Sequence, residues 1–169
     1  MNLHDALWQE DERLNERNRG LVRGLTKEQH NLQFPKSYKD MLPDPLHWTP
    51  PGGESILDVI SKLSDFYEDM HSVRSIVVSG HRDSMWASMA PLEGLDVQAL
   101  AQINTGEITN GQIWHYTSID PQTGRQAAKL MWKRVINPLS PEPSIGWQIL
   151  THAIAEKTEP GNTSSQFLP

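Results

Sequence analysis

Residues 13–24, RLNERNRGLVRG, set one carboxylate, Glu16, among Arg13, Arg17 and Arg19, and the run closes on two glycines. Two readings fit. Arginine and glutamate are good helix formers that favour water, so a solvated helix face looks much like this. Alternatively, a local basic cluster of this kind receives a small anionic ligand. A second place of interest is Gly80-His81-Arg82-Asp83, which ends the apolar run SIVVSG. In open α/β sheets ligands sit at the carboxyl ends of strands, where the N-terminus of the next helix offers free N–H groups to an anion. His81 is placed like a site residue in that sense. Its alternative is a histidine that merely hydrogen-bonds the start of the following helix.

The whole chain sets limits on what such a site can do. At 169 residues it is most simply one domain, spanning 1–157, with a disordered tail at 158–169. A composition with 37% hydrophobic residues, six tryptophans and a net charge of −6 belongs to a folded protein with an acidic excess. Nucleic acid is excluded as a partner on this reading, because phosphate backbones are bound through extended basic surfaces. The absence of cysteine removes disulfides, thiolate metal sites and cysteine nucleophiles, and fits a reducing compartment. No apolar run reaches the roughly 20 residues of a membrane span, and MNLHDALWQEDER lacks the parts of a secretory signal. A cytoplasmic location follows as the expectation.

The elements that must position Glu16 and His81 are legible from pattern. Ala6, Leu7 and Trp8 are the core candidates of the first dozen residues. Thr26 is placed to N-cap a short helix that Pro35 ends, and 35–53, with five prolines and a closing Gly-Gly, reads as loop. Ser55, with Asp58 three residues on, caps a helix whose apolar face is Ile56, Val59, Ile60, Leu63, Phe66, Tyr67 and Met70. SIVVSGH reads as a strand buried on both faces. A helix then starts near Asp83 and ends or kinks at Pro91, and Asp96 caps another built on Val97, Leu100 and Ile103. Residues 112–136 read as two antiparallel strands around a Pro/Gly turn, at a sheet edge. Trp147 to Lys157 reads as a last helix. The sum is an α/β fold, a mixed sheet with helices against it.

At this point the residues carry a resemblance. LNERNRGLVRGLTK resembles the Leu-Asn-Glu-Arg-x-x-Gly-x-x-x-Gly-Leu-x-Lys motif of the cofactor-dependent phosphoglycerate mutases, the best-known branch of the histidine phosphatase superfamily. GGESILDVISKLSDFYEDM, SIVVSGHRDSMWASMAPLEGL and NTGEITNGQIWHYT are similar, in the same order, to segments that follow it there. The resemblance runs from about Leu14 to Tyr116, and its first motif is the specific one. It implies a three-layer mixed sheet with helices on both faces, and a small phosphorylated metabolite as ligand. It implies no cofactor. Glu16 becomes the general acid/base that protonates the leaving oxygen, and His81 the second histidine, stabilising the transferring phosphoryl group. Arg17 and Lys27 fall on positions that contact phosphate or carboxylate, and Arg82 stands beside them as a further candidate. Such chemistry is mostly positioning and positive electrostatics, needs no metal, and none is suggested by the histidine spacing.

The departures are equally informative. The phosphorylated nucleophile of that family is the histidine of an Arg-His-Gly triplet at the end of the first strand, and the triplet does not occur in these 169 residues. His4, His30, His47, His71, His115 and His152 all lack that context. The chain therefore reads as the family fold N-terminally truncated, without its first strand, helix and second strand. Arg19 replaces a tyrosine, Asp83 an asparagine, and Arg82 a glycine; Arg82 is expected to offset the charge of Asp83. The stretch between Glu28 and Gly53 holds no arginine where mutases carry a pair, which points to a phosphatase rather than a mutase. The alternative is a non-enzymatic binding or assembly module, with the surface bared by the absent strands covered by a partner or a second copy of the chain.

Overall fold

The computed structural model describes residues 8–73, 75–103, 108–139 and 144–150. They fall into two compact units, 1–108 and 109–169. The first is helical and contains the site; the second is a small antiparallel sheet.

Helix α1 (Lys27–Gln33) begins where its N-cap predicts: the Thr26 hydroxyl accepts from the Gln29 N–H and Gln29 returns the favour to the Thr26 N–H. Pro35 does not start a long loop. It opens α2 (Pro35–Met41), because proline at the first helical position gives up only an N–H that has no intrahelical acceptor. The expected loop is therefore confined to residues after Met41.

The longest helix, α3 (Ile56–Asp69), is capped as the sequence predicts, with Ser55 and Asp58 bonding each other's backbone N–H groups. Its face of Ile56, Val59, Leu63 and Phe66 is buried. Val59 and Leu63 join Ala87 in a fully buried cluster against which Leu14, Ile60 and Tyr67 pack. Ser55→Ala is expected to cost about 1 kcal/mol near neutral pH, as cap losses do. The Ser55 hydroxyl and N–H, both bonded to Asp58, hold its carboxyl below the ordinary value of 3.8. A depressed carboxylate contributes stability above its unfolded pKa and loses it as pH falls through the folded one. The difference between wild type and Ser55→Ala in urea should therefore hold at pH 5–7 and shrink below about 3.8.

After α3 the sequence expectation fails. Residues 75–80 form no strand: Ile76, Val77 and Val78 are 42, 57 and 36% exposed, and the first unit contains no strand among the described residues. A strand buried on both faces needs neighbours at both edges, and here none pairs with it. Helix α4 (Arg82–Ala87) follows, then α5 (Met89–Glu93), with the break at Ser88. Pro91 explains the break, having no N–H to return to the carbonyl of Ala87. Helix α6 (Val97–Ala101) takes its cap from the Asp96 carboxylate, which accepts from the Ala99 N–H, and buries Leu100.

In the second unit β1 (Ile113–Thr117) and β2 (Trp132–Ile136) pair antiparallel, as the turn between them predicts, with His115 opposite Arg134. The third strand, β3 (Ile145–Ile149), pairs with β2, so Trp147 lies in a strand and not in a helix. Residues 151–157 of the expected helix lie outside the described residues, as do Ala6 and Leu7; Trp8 is exposed rather than core. No helix among the described residues is long and apolar enough to cross a membrane.

Candidate functional site

The acid-bearing loop is fixed from below by Leu14, which packs against the Val59/Leu63/Ala87 cluster. That contact sets the start of the loop on the surface of α3. Two hydrogen bonds then join the loop to α4. The Ser84 hydroxyl donates to the Asn15 carbonyl at 3.1 Å, and the Arg19 Nη2 donates to the Asp83 Oδ2 at 2.5 Å. Residues on either side of Glu16 are thus tied to the turn that follows His81.

On its other side the loop lies against residues 48–54. The Leu21 N–H donates to the Pro51 carbonyl, the Glu54 N–H to the Asn18 carbonyl and the Asn18 N–H to the Glu54 Oε2. Gly20 sits at φ +51°, and a Cβ there would stand 2.1 Å from the Pro51 carbonyl oxygen; one on Gly53 would stand 2.5 Å from the Asn18 carbonyl oxygen. Only two glycines permit this approach.

Arg17 is the buried member of the loop. Its Nε donates to the Glu54 carbonyl at 2.8 Å and its Nη2 to the Trp48 carbonyl at 3.2 Å, with the guanidinium 5.7 Å from the Trp48 ring centroid. Burial, then the charge of Arg19, holds its pKa below the ordinary value, with Asp83 pulling the other way. Arg17, Arg19 and Asp83 therefore share one electrostatic neighbourhood. Arg17 is at least as much a clasp between loops as a ligand-binding group.

Glu16 is half-buried; its Oε1 accepts from the Arg17 N–H at 2.9 Å. It borders a shallow groove of about 480 Å³ with Asn15, Asn18, Glu54 and Lys62. Lys62 spans that groove, donating to the Asn15 carbonyl at 3.2 Å and to both Glu54 oxygens. His81 is exposed and precedes α4, and its ring makes no capping bond to the helix, which removes the alternative role for it. Arg82 is exposed, its Nε 3.9 Å from Asp83 Oδ1. Lys27 lies exposed in the first turn of α1. The charge of Asp83 is met first by Arg19, not by Arg82 as the sequence led one to expect. Arg19, Ser84 and Lys62 are the residues the sequence reading missed; the first was visible as one of two departures of opposite charge.

Among the described residues no three His, Asp or Glu side chains gather as a metal site would need. The groove beside Glu16 is lined by Arg13 and Lys62 as its cations and by neither His81 nor Arg82; what joins the two segments is the pair of bonds from α4 to Asn15 and Arg19. The 2,3-bisphosphoglycerate-dependent phosphoglycerate mutase 2 of Gloeobacter violaceus is 28% identical over 99 residues, which cover 56% of this chain and 45% of the mutase. The chain thus aligns with about half the length of that curated relative. The family described as "Histidine phosphatase superfamily (branch 1)" matches residues 2–131. With most of its length matched, and with the glutamate loop and the histidine turn joined as described, the chain belongs to the histidine phosphatase superfamily.

Proposed function

We propose that this chain binds a small phosphorylated metabolite where the 15–19 loop meets the 81–84 turn, and that it takes part there in phosphomonoester hydrolysis rather than in a mutase reaction. The observation that carries the reading is the double tie between the two segments, Ser84 to Asn15 and Arg19 to Asp83. Glu16 holds the proton that the leaving oxygen needs, and His81, with Arg82, answers the charge spread over the phosphoryl oxygens. Arg17 and Lys27 are the further cations that the resemblance assigns to phosphate or carboxylate. The phosphorylated histidine is expected from outside these 169 residues, none of whose histidines stands in Arg-His-Gly. The three-layer sheet would be completed by the same segment, in a cytoplasmic protein that needs no cofactor or metal for this step.

Phosphate or vanadate is expected to raise the melting temperature, since a ligand of the native state at about 100 times its Kd adds roughly 2.7 kcal/mol, or about 5–10 °C for a chain of this size. Differential scanning calorimetry reads the shift. His81→Ala, which removes an exposed ring, should diminish it; an undiminished shift means that the anion binds elsewhere.

A second reading draws on the exposed ribbon at 75–80. In it the chain is an assembly module, and a partner or a second copy covers Ile76, Val77 and Val78. The same titration separates the two, because a module without a phosphate site gives no shift.

A further inference from the structure

We infer that the Arg19–Asp83 ion pair is a specificity device, which restricts the ligand to phosphomonoesters whose remainder carries no second anionic group. The inference rests on the phosphate site proposed above and names its substrate class.

The pair spans 64 residues of sequence, and its two members are unequal: the Asp83 side chain is 10% exposed and that of Arg19 47%. A carboxylate so far removed from water needs a cation, and breaking such a pair leaves a buried charge without compensation. Arg19 supplies the close contact at 2.5 Å, and Arg82 stands off at 3.9 Å. Arg19 is thus the cation most directly spent on an internal anion.

Two other cations beside the loop are also engaged. Arg17 serves two backbone carbonyls, and Lys62 serves Glu54 and the Asn15 carbonyl. The segment between Glu28 and Gly53 contributes no arginine, and its Lys36 is paired with Asp40. One phosphate can be met by His81 and Arg82 without disturbing any of this. A second anionic group that sought the guanidinium closest to Asp83 would take Arg19 from it and then lie against the carboxylate it had stripped. Asp83 consequently acts twice against a diacid: it occupies the guanidinium, and it repels. A neutral remainder meets neither obstacle.

The test measures Kd by isothermal titration for inorganic phosphate, glycerol 3-phosphate and 3-phosphoglycerate; the two esters share a phosphate and differ by a carboxylate. Wild type should bind 3-phosphoglycerate about tenfold or more weakly than glycerol 3-phosphate. Asp83→Asn, which keeps the shape and removes the charge, should lower that ratio about tenfold by freeing Arg19, and Asp83→Asn with Arg19→Gln should abolish the gain. Arg19→Gln alone, at an exposed position, should raise the ratio, which supplies a second arm should Asp83→Asn fold poorly. Equal binding of the two esters by wild type, or a ratio that neither substitution moves while inorganic phosphate still binds, overturns the specificity device alone. Failure of wild type and variants to bind even inorganic phosphate overturns the phosphate site and this inference with it.

Discussion

Joined to a family segment that carries Arg-His-Gly, the chain is expected to hydrolyse a phosphomonoester about 10⁶-fold faster than it does unaided, the scale on which removal of a catalytic nucleophile is felt. A covalent phosphohistidine splits one difficult transfer into two easier ones, and without that histidine only water is left to attack. In the proposed site Glu16 and His81 would assist the water, but acid/base help is worth typically about 10²–10⁴-fold, far below what a phosphate monoester needs. Glu16→Gln in the fusion should therefore lower turnover by about 10²–10⁴-fold and slow the appearance of phosphohistidine, read by mass spectrometry under basic conditions, because the leaving oxygen is protonated in the step that forms it. Vigorous, Glu16-dependent phosphate release by the unfused chain, free of contaminating phosphatases, would contradict this account of where the nucleophile comes from.

Arg17→Ala is expected to lower the unfolding free energy by about 1–3 kcal/mol, because it removes the donors of the part-buried carbonyls of Glu54 and Trp48, for which water makes up only in part. Arg17→Lys should restore only part of it, since a point charge cannot reach both acceptors as a planar fork does. Urea titration at constant m-value gives the number. If the midpoint holds and only the phosphate-induced stabilisation is lost, the guanidinium is a ligand group and not a clasp. The two roles make opposite demands on this one side chain, so stability and binding must be measured on the same variant.

What the sequence made legible was whatever depends on near neighbours. The Ser55–Asp58 box and the spacing of Ile56, Val59, Leu63 and Phe66 specify α3 almost by themselves, and Thr26 and Asp96 specify the starts of α1 and α6. The order of the glutamate loop and the histidine turn was equally readable. What depends on distant partners was not. SIVVSG has the composition of a central strand, but a strand is made by its neighbours, and composition carries no record of whether they are there. Ile145 to Ile149 is too short a run to separate a period of two from a period of 3.6 without knowing that β2 lies beside it. The Arg19–Asp83 pair appeared as two unrelated oddities until folding closed 64 residues between them.

The ribbon at 75–80 also bears on how the protein behaves in bulk. Ile76, Val77 and Val78 present β-branched side chains to water in an extended segment that carries no charge and no proline. Such a segment is the template from which strands of separate molecules pair edge to edge into dry, interdigitated stacks. Its gatekeeping charges are Arg74 immediately before it and Arg82, beyond His81, after it. Left open, these six residues set the concentration at which the chain stays in solution, and concentrated samples are expected to yield fibrils and precipitate before any assay of catalysis begins.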